Sequence, residues 1–132
     1  MIRVTIPYPP SVNVYWRVVK NRIYSTNEAK KYKKDVSAIC QAQFIFPITG
    51  SVAVAVKAFR PAKRGDLDNT LKVSLDALKG HAYHDDAQII QIHAERHDDK
   101  VNPRLEIVVT ELEFDFLDFG DKHALEVQGG AA

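Results

Sequence analysis

The chain has 132 residues, 45% of them hydrophobic and 27% charged, which is the balance of one ordinary globular domain. No apolar run approaches the ~20 residues that would cross a membrane, and Cys40, the only cysteine, excludes an internal disulfide and fits a reducing cytoplasm. The net charge of +1 conceals a division: residues 1–64 hold 12 Lys and Arg against two acidic residues (+10), and residues 65–132 hold six against 15 (−9). A basic half joined to an acidic half suits a protein that grips a polyanion on one surface and metal ions on another. The alternative is that the charges interleave on folding and no patch forms.

Ile2-Arg3-Val4-Thr5-Ile6 alternates as a strand, not as the long apolar stretch of a signal peptide, and Pro7-Tyr8-Pro9-Pro10 ends it. Tyr15–Val19 and Arg22–Ser25 read as a hairpin turning at Lys20-Asn21. Ser25-x-x-Glu28 has the spacing of a capping box opening a helix to about Phe44. Ala29, Tyr32, Val36, Ile39, Cys40 and Phe44 should form its core face. Pro47 and Gly50 break that helix, and residues 51–59 follow as a strand with Val52, Val54 and Val56 on one face. Ala53 and Ala55 on the other face suit a strand covered closely there. A basic loop, residues 60–65, leads to a second helix over about Asn69–Lys79, capped by Asp68 or Asn69 and stopped by Gly80. Leu71, Leu75 and Leu78 should stripe its buried side. Strands over Gln88–Glu95 and Arg104–Glu111 complete an α+β domain, a small mixed β-sheet with two main helices packed against it. The domain should cover residues 1–112, with residues 113–132 an acidic, aromatic and partly disordered tail.

Three aspartates bracket the second helix: Asp66 and Asp68 before or at its start, and Asp86 beyond its end. Like charges held close repel, so such a cluster usually serves a cation, and carboxylates without cysteine or histidine partners favour Mg²⁺ or Mn²⁺. Asp66 and Asp68 share a face of an extended segment, and Lys72 lies one helical turn beyond Asp68. If the 84–86 turn folds back toward the start of the helix, Asp86 becomes a third ligand. Three carboxylates and a lysine then make a site for phosphodiester hydrolysis.

Other chemistry fits the same letters. Asp66-Leu67-Asp68-Asn69-Thr70 matches the D-x-D-x-T pattern of phosphatases that form an aspartyl-phosphate, but those place it at the end of a buried strand. A calcium loop counted from Asp66 has Leu71 where glycine belongs and Ala77 where glutamate belongs. A nucleotide-sugar transferase needs far more chain. Without further support, Asp68 is a helix cap and Asp66, Asp85 and Asp86 are solvated charges. His93 and His97 fall in a strand and do not make an H-E-x-x-H helix.

Taken together, the residues resemble the RusA family of Holliday junction resolvases. The matching pieces are Pro9-Pro10-Ser11-Val12-Asn13, Tyr15-Trp16-Arg17, Tyr24-Ser25, Asp66-Leu67-Asp68-Asn69-x-x-Lys72, Asp76-Ala77-Leu78 and Asp85-Asp86-Ala87-Gln88, in that order over residues 2–112. The resemblance implies a homodimeric, Mg²⁺-dependent crossover junction endodeoxyribonuclease that resolves four-way DNA by paired symmetric nicks. It implies Asp66, Asp68 and Asp86 as metal ligands and Lys72 as the catalytic lysine, in a bacterial cytoplasmic protein of the kind phages and prophages often encode. Branched DNA would then be held by Lys20, Arg22, Lys30, Lys31, Lys33, Lys34, Lys63 and Arg64. Tyr8, Tyr15 or Trp16 are candidates for stacking on unpaired bases. Rival readings are a nuclease for flaps or forks, and a junction-binding protein that does not cleave. Two departures stand out. Residues 61–65 dilute the basic run that family members carry before D-L-D-N, and the acidic tail lies outside the similarity.

Overall fold

The computed structural model describes residues 1–10, 16–19, 22–61 and 67–112, with the backbone alone described for residues 16–19 and 22–25. In chain order the elements are β1 (Ile2–Pro7), β2 (Trp16–Val19), β3 (Arg22–Ser25), α1 (Asn27–Ala42), β4 (Val52–Arg60), α2 (Leu67–Leu78), a 3₁₀ turn (Asp86–Gln88), β5 (Ile89–Asp98) and β6 (Arg104–Glu111). Strands β1, β6, β4 and β5 form one sheet in that order, and β2 and β3 pair as a separate hairpin. Only β4 and β5 are parallel among the sheet neighbours. A parallel pair cannot be joined by a tight turn, so the chain must cross over the sheet between them, and α2 with the 3₁₀ turn is that crossover. The α+β arrangement anticipated from the pattern, a small mixed sheet with two helices, is the one observed.

One face of the sheet carries the core. Val4 and Ile6 of β1, Val52, Val54, Val56 and Ala58 of β4, and Leu105, Ile107 and Val109 of β6 are all buried. The strand period of two places them on a common face, where Ala29, Tyr32, Val36 and Cys40 of α1 and Val73, Ala77 and Leu78 of α2 join them. Hydroxyl groups fix the helices along the far end of β1. Tyr32 donates to the Pro7 carbonyl at 2.7 Å, and the Tyr8 and Thr70 hydroxyls meet at 3.2 Å. The start of α2 is thereby held beside the end of β1. No helix among the described residues is long and apolar enough to cross a membrane.

Several local expectations change. The α1 cap is Thr26, not Ser25: its side chain accepts from the Ala29 N–H at 3.2 Å, while Ser25 is committed to the ladder opposite Trp16. The helix stops at Ala42, so Phe44 adopts φ 54° and stands 80% exposed instead of joining the core. In α2 the buried side is Thr70, Val73, Ser74, Ala77 and Leu78, with Leu71 and Leu75 only partly covered. Asp68 and Asn69 lie inside the first turn of this helix and do not precede it. The edge strand β5 runs from Ile89 to Asp98, beginning and ending later than expected. Ala53 and Ala55 lie on the sheet face opposite the helices, and no described element covers them. The turn expected at Lys20-Asn21, the loop 62–65 and the tail from 113 fall outside the described residues.

An N-cap hydroxyl satisfies an otherwise orphaned helix N–H, which sets the cost of its loss. Thr26→Ala should lower unfolding free energy by about 1 kcal/mol in urea denaturation, and Thr26→Asp should retain most of it.

Candidate active site

A carboxamide and a phenol organise the crossover. After Leu78 the chain reverses: the Gly80 N–H donates to the Tyr83 carbonyl at 2.7 Å, and the Ala82 N–H donates to the Leu78 carbonyl at 3.0 Å. Gly80, at φ 86°, supplies the left-handed backbone this reversal needs. Tyr83 is fully buried, and its hydroxyl donates back to the Leu75 carbonyl in α2. Burial, then the negative charges of Asp86 and Asp76, push the Tyr83 hydroxyl well above the ordinary phenol range.

Gln88 then locks the turn that carries Asp86. Its Oε1 accepts from the His84 N–H at 2.7 Å and the Asp85 N–H at 2.9 Å. Its Nε2 donates to the carbonyls of Ile48 and Gly50, both at 2.7 Å. Asp85 completes a capping box by accepting from the Ala87 N–H at 3.5 Å. One side chain thus closes the 84–88 turn with two hydrogen bonds and ties it to the entry of β4 with two more, and Asp86 stays exposed. This role of Gln88 was legible in the sequence, where Asp85-x-x-Gln88 has capping-box spacing, but the motif match alone did not bring it out.

The remaining candidates divide by position. Asp68 and Lys72 are exposed and one turn apart at the start of α2. The 84–88 turn follows the reversal after α2: Tyr83, three residues before Asp86, is bonded to Leu75, and Asp85, next to Asp86, is 3.9 Å from Lys79. Asp66 lies outside the described residues, and among those described no group of three acidic, histidine or cysteine residues could hold a metal. Because Asp68 is helical, the strand-end geometry of an aspartyl-phosphate phosphatase is not what is observed.

Of the basic candidates, Lys30, Lys31 and Lys34 are exposed on the outer side of α1. Lys33 instead pairs with Asp76 at 3.0 Å and joins the two helices. Lys20, Lys63 and Arg64 lie outside the described residues, as does the side chain of Arg22. Tyr8, a stacking candidate, spends its hydroxyl on Thr70, and the side chains of Tyr15 and Trp16 are not described.

The chain matches the family model described as Endodeoxyribonuclease RusA over residues 7–110. It is 39% identical over 111 residues to the crossover junction endodeoxyribonuclease rusA of Enterobacteria phage HK97, covering 82% of this chain and 92% of that protein. It is 31% identical over 112 residues to the proteins of that name from Enterobacteria phage 82 and Escherichia coli K12, covering 83% of this chain and 93% of each.

Two measurements test this geometry. Gln88→Leu should cost about 2 kcal/mol of stability, since it leaves several backbone groups without a partner. In a spectrophotometric pH titration, Tyr83 should ionise above the ordinary phenol range, a step absent from Tyr83→Phe. Because its folded pKa is raised, its contribution to stability is full below the unfolded value of about 10 and is lost as pH rises above it.

Proposed function

The chain belongs to the RusA endodeoxyribonuclease family, and from that membership we propose that it is a crossover junction endodeoxyribonuclease, hydrolysing phosphodiesters in four-way DNA. The observation that supports this most directly is that Asp68 and Lys72 share one exposed helix turn and that Asp86 is exposed on a turn held by four Gln88 hydrogen bonds. Asp66, Asp68 and Asp86 are the proposed metal ligands. The donor set fits a hard divalent cation, Mg²⁺ with Mn²⁺ as a substitute: Asp68 and Asp86 offer exposed carboxylate oxygens, and the one thiol, Cys40, is buried in the core. When bound, such a cation supplies polarisation of the phosphate and a more acidic attacking water. Lys72 presents a flexible ammonium to charge developing on the phosphoryl or leaving oxygen. Lys30, Lys31 and Lys34 offer sequence-independent phosphate contacts, so junction affinity should fall steeply with salt.

We assign the active unit as a homodimer with one centre, Asp66, Asp68 and Asp86, for each subunit. A two-fold pair of such centres suits a substrate that is itself nearly two-fold symmetric. Among the described residues no strand pairs with the outer edge of β5, and with Ile90 38% and Ile92 51% exposed it offers a surface to a second copy. Relatives from phages and from E. coli support a bacterial cytoplasmic setting and a phage or prophage origin.

Incubation with an immobile four-way junction and a linear duplex of the same sequence, in Mg²⁺, should give paired symmetric nicks on the junction alone. Equal cutting of flaps and forks, or binding without nicks, would sink the reading. Asp68→Asn and Asp86→Asn should each lower nicking by about 10²-fold or more while leaving gel-shift binding intact. Mixing these two inactive variants distinguishes the site models. A shared centre regains one intact site per heterodimer and nicks one strand, whereas centres confined to single protomers stay inactive.

A further inference from the structure

Helix α1 ends in a reversal whose usual glycine position is taken by a phenylalanine. The Ile45 N–H donates to the Cys40 carbonyl at 2.9 Å and the Phe44 N–H to the Gln41 carbonyl at 3.1 Å, the paired bonds of a Schellman turn. Such a turn needs a left-handed residue after the cap, and Phe44 supplies it at φ 54°. Glycine does this without strain, whereas a residue with a Cβ does not. Packing does not offset that strain: Ile45 reaches the core, while the Phe44 ring stands 80% exposed. Strain held at an exposed side chain points to use of that side chain.

Phe46, two residues on, is 75% exposed. Among the described phenylalanine and tyrosine rings these two alone are exposed. Together they present roughly 300 Å² of apolar surface, bordered by exposed Gln41, Gln43 and Thr49. A stable protein interface buries about 800 Å² on each partner, so the pair is small for a protein and the right size for one or two bases. Residues 36–56 contain no charged residue, so this segment offers ring faces and grips no phosphate.

The rings adjoin the turn that carries Asp86. Phe46 precedes Ile48 by two residues, at most ~7 Å of chain. Ile48 is fixed to the crossover by both its backbone groups: its N–H donates to the Ala82 carbonyl at 2.9 Å, and its carbonyl accepts from Gln88 at 2.7 Å. The side chain that frames the Asp86 turn therefore also anchors the segment bearing the rings.

We infer that Phe44 and Phe46 stack on bases left unpaired at the branch point, beside the phosphodiester to be cut. The inference rests on the nuclease reading and adds to it a means of choosing branched DNA. Every base has a π-face, so the contact tolerates any sequence, and a linear duplex, with its bases stacked on one another, does not present it.

Fluorescence-anisotropy titrations in EDTA, with a four-way junction and a linear duplex of the same sequence, read affinity apart from cleavage. Phe44→Gly and Phe46→Leu should each weaken junction binding at least about fivefold and leave duplex binding unchanged, and Phe46→Trp should retain it. Leucine keeps apolar area without a π-face, which separates stacking from a general apolar contact. Phe44→Gly relieves the left-handed strain, so its Tm should equal or exceed that of the wild type and unfolding cannot account for the loss. Unchanged junction affinity in both variants, or equal losses on duplex, would overturn the inference. So would sedimentation showing monomeric variants and a dimeric wild type, since the rings would then lie between two copies. Absence of nicking by the wild type in Mg²⁺ would instead strike the nuclease reading, and the titrations would still decide the stacking.

Discussion

The Gln88 carboxamide is the contact on which the candidate site depends. Its two acceptor bonds close the 84–88 turn, and its two donor bonds pin that turn to Ile48 and Gly50, at the entry of β4. Because β5 begins at the next residue and pairs in parallel with β4, the same clamp sets the register of the crossover. The direction of Asp86 is therefore a consequence of sheet topology and not of a mobile loop. A carboxylate that must keep a fixed position without a neighbouring cation is well served by a frame of neutral hydrogen bonds. Such a frame adds no charge that would compete for a metal ion.

Tyr83 performs the complementary task from the helix side. With its hydroxyl on the Leu75 carbonyl and its ring fully buried, it sets how far back along α2 the turn can travel. The negative charges of Asp86 and Asp76 both bear on it, and Asp76 in turn holds Lys33 of α1. Lysines one turn apart in sequence thus separate in function: Lys33 is structural, and Lys30, Lys31 and Lys34 face solvent. Charge counting could not make that distinction, because it depends on which helix packs against which.

What was legible in the sequence followed from period. Alternation gave β1, β4 and β6, and the helical repeat gave the Ala29, Tyr32, Val36 and Cys40 face. The errors came where two local signals competed. Ser25 and Thr26 both suit a cap, and strand pairing claimed Ser25. Phe44 continued the helical period, yet the helix had already ended at Ala42. Leu71, Leu75 and Leu78 looked like the buried stripe of α2, yet of these only Leu78 is fully buried, beside Thr70, Val73, Ser74 and Ala77. For the site, D-L-D-N-x-x-K and D-D-A-Q identified the residues through resemblance. Nothing in their spacing revealed that the Gln88 side chain would frame the turn carrying Asp86.

A homodimeric active unit, as proposed, changes how a nuclease built on this chain is controlled. A lone copy carries a single centre, and its selectivity has to come from binding alone. Two copies related by a two-fold axis present two centres at a fixed separation, and a four-way junction supplies two equivalent strands to meet them. The frame this needs costs little in the fold, since α2 and the Gln88 turn are already required to cross between β4 and β5.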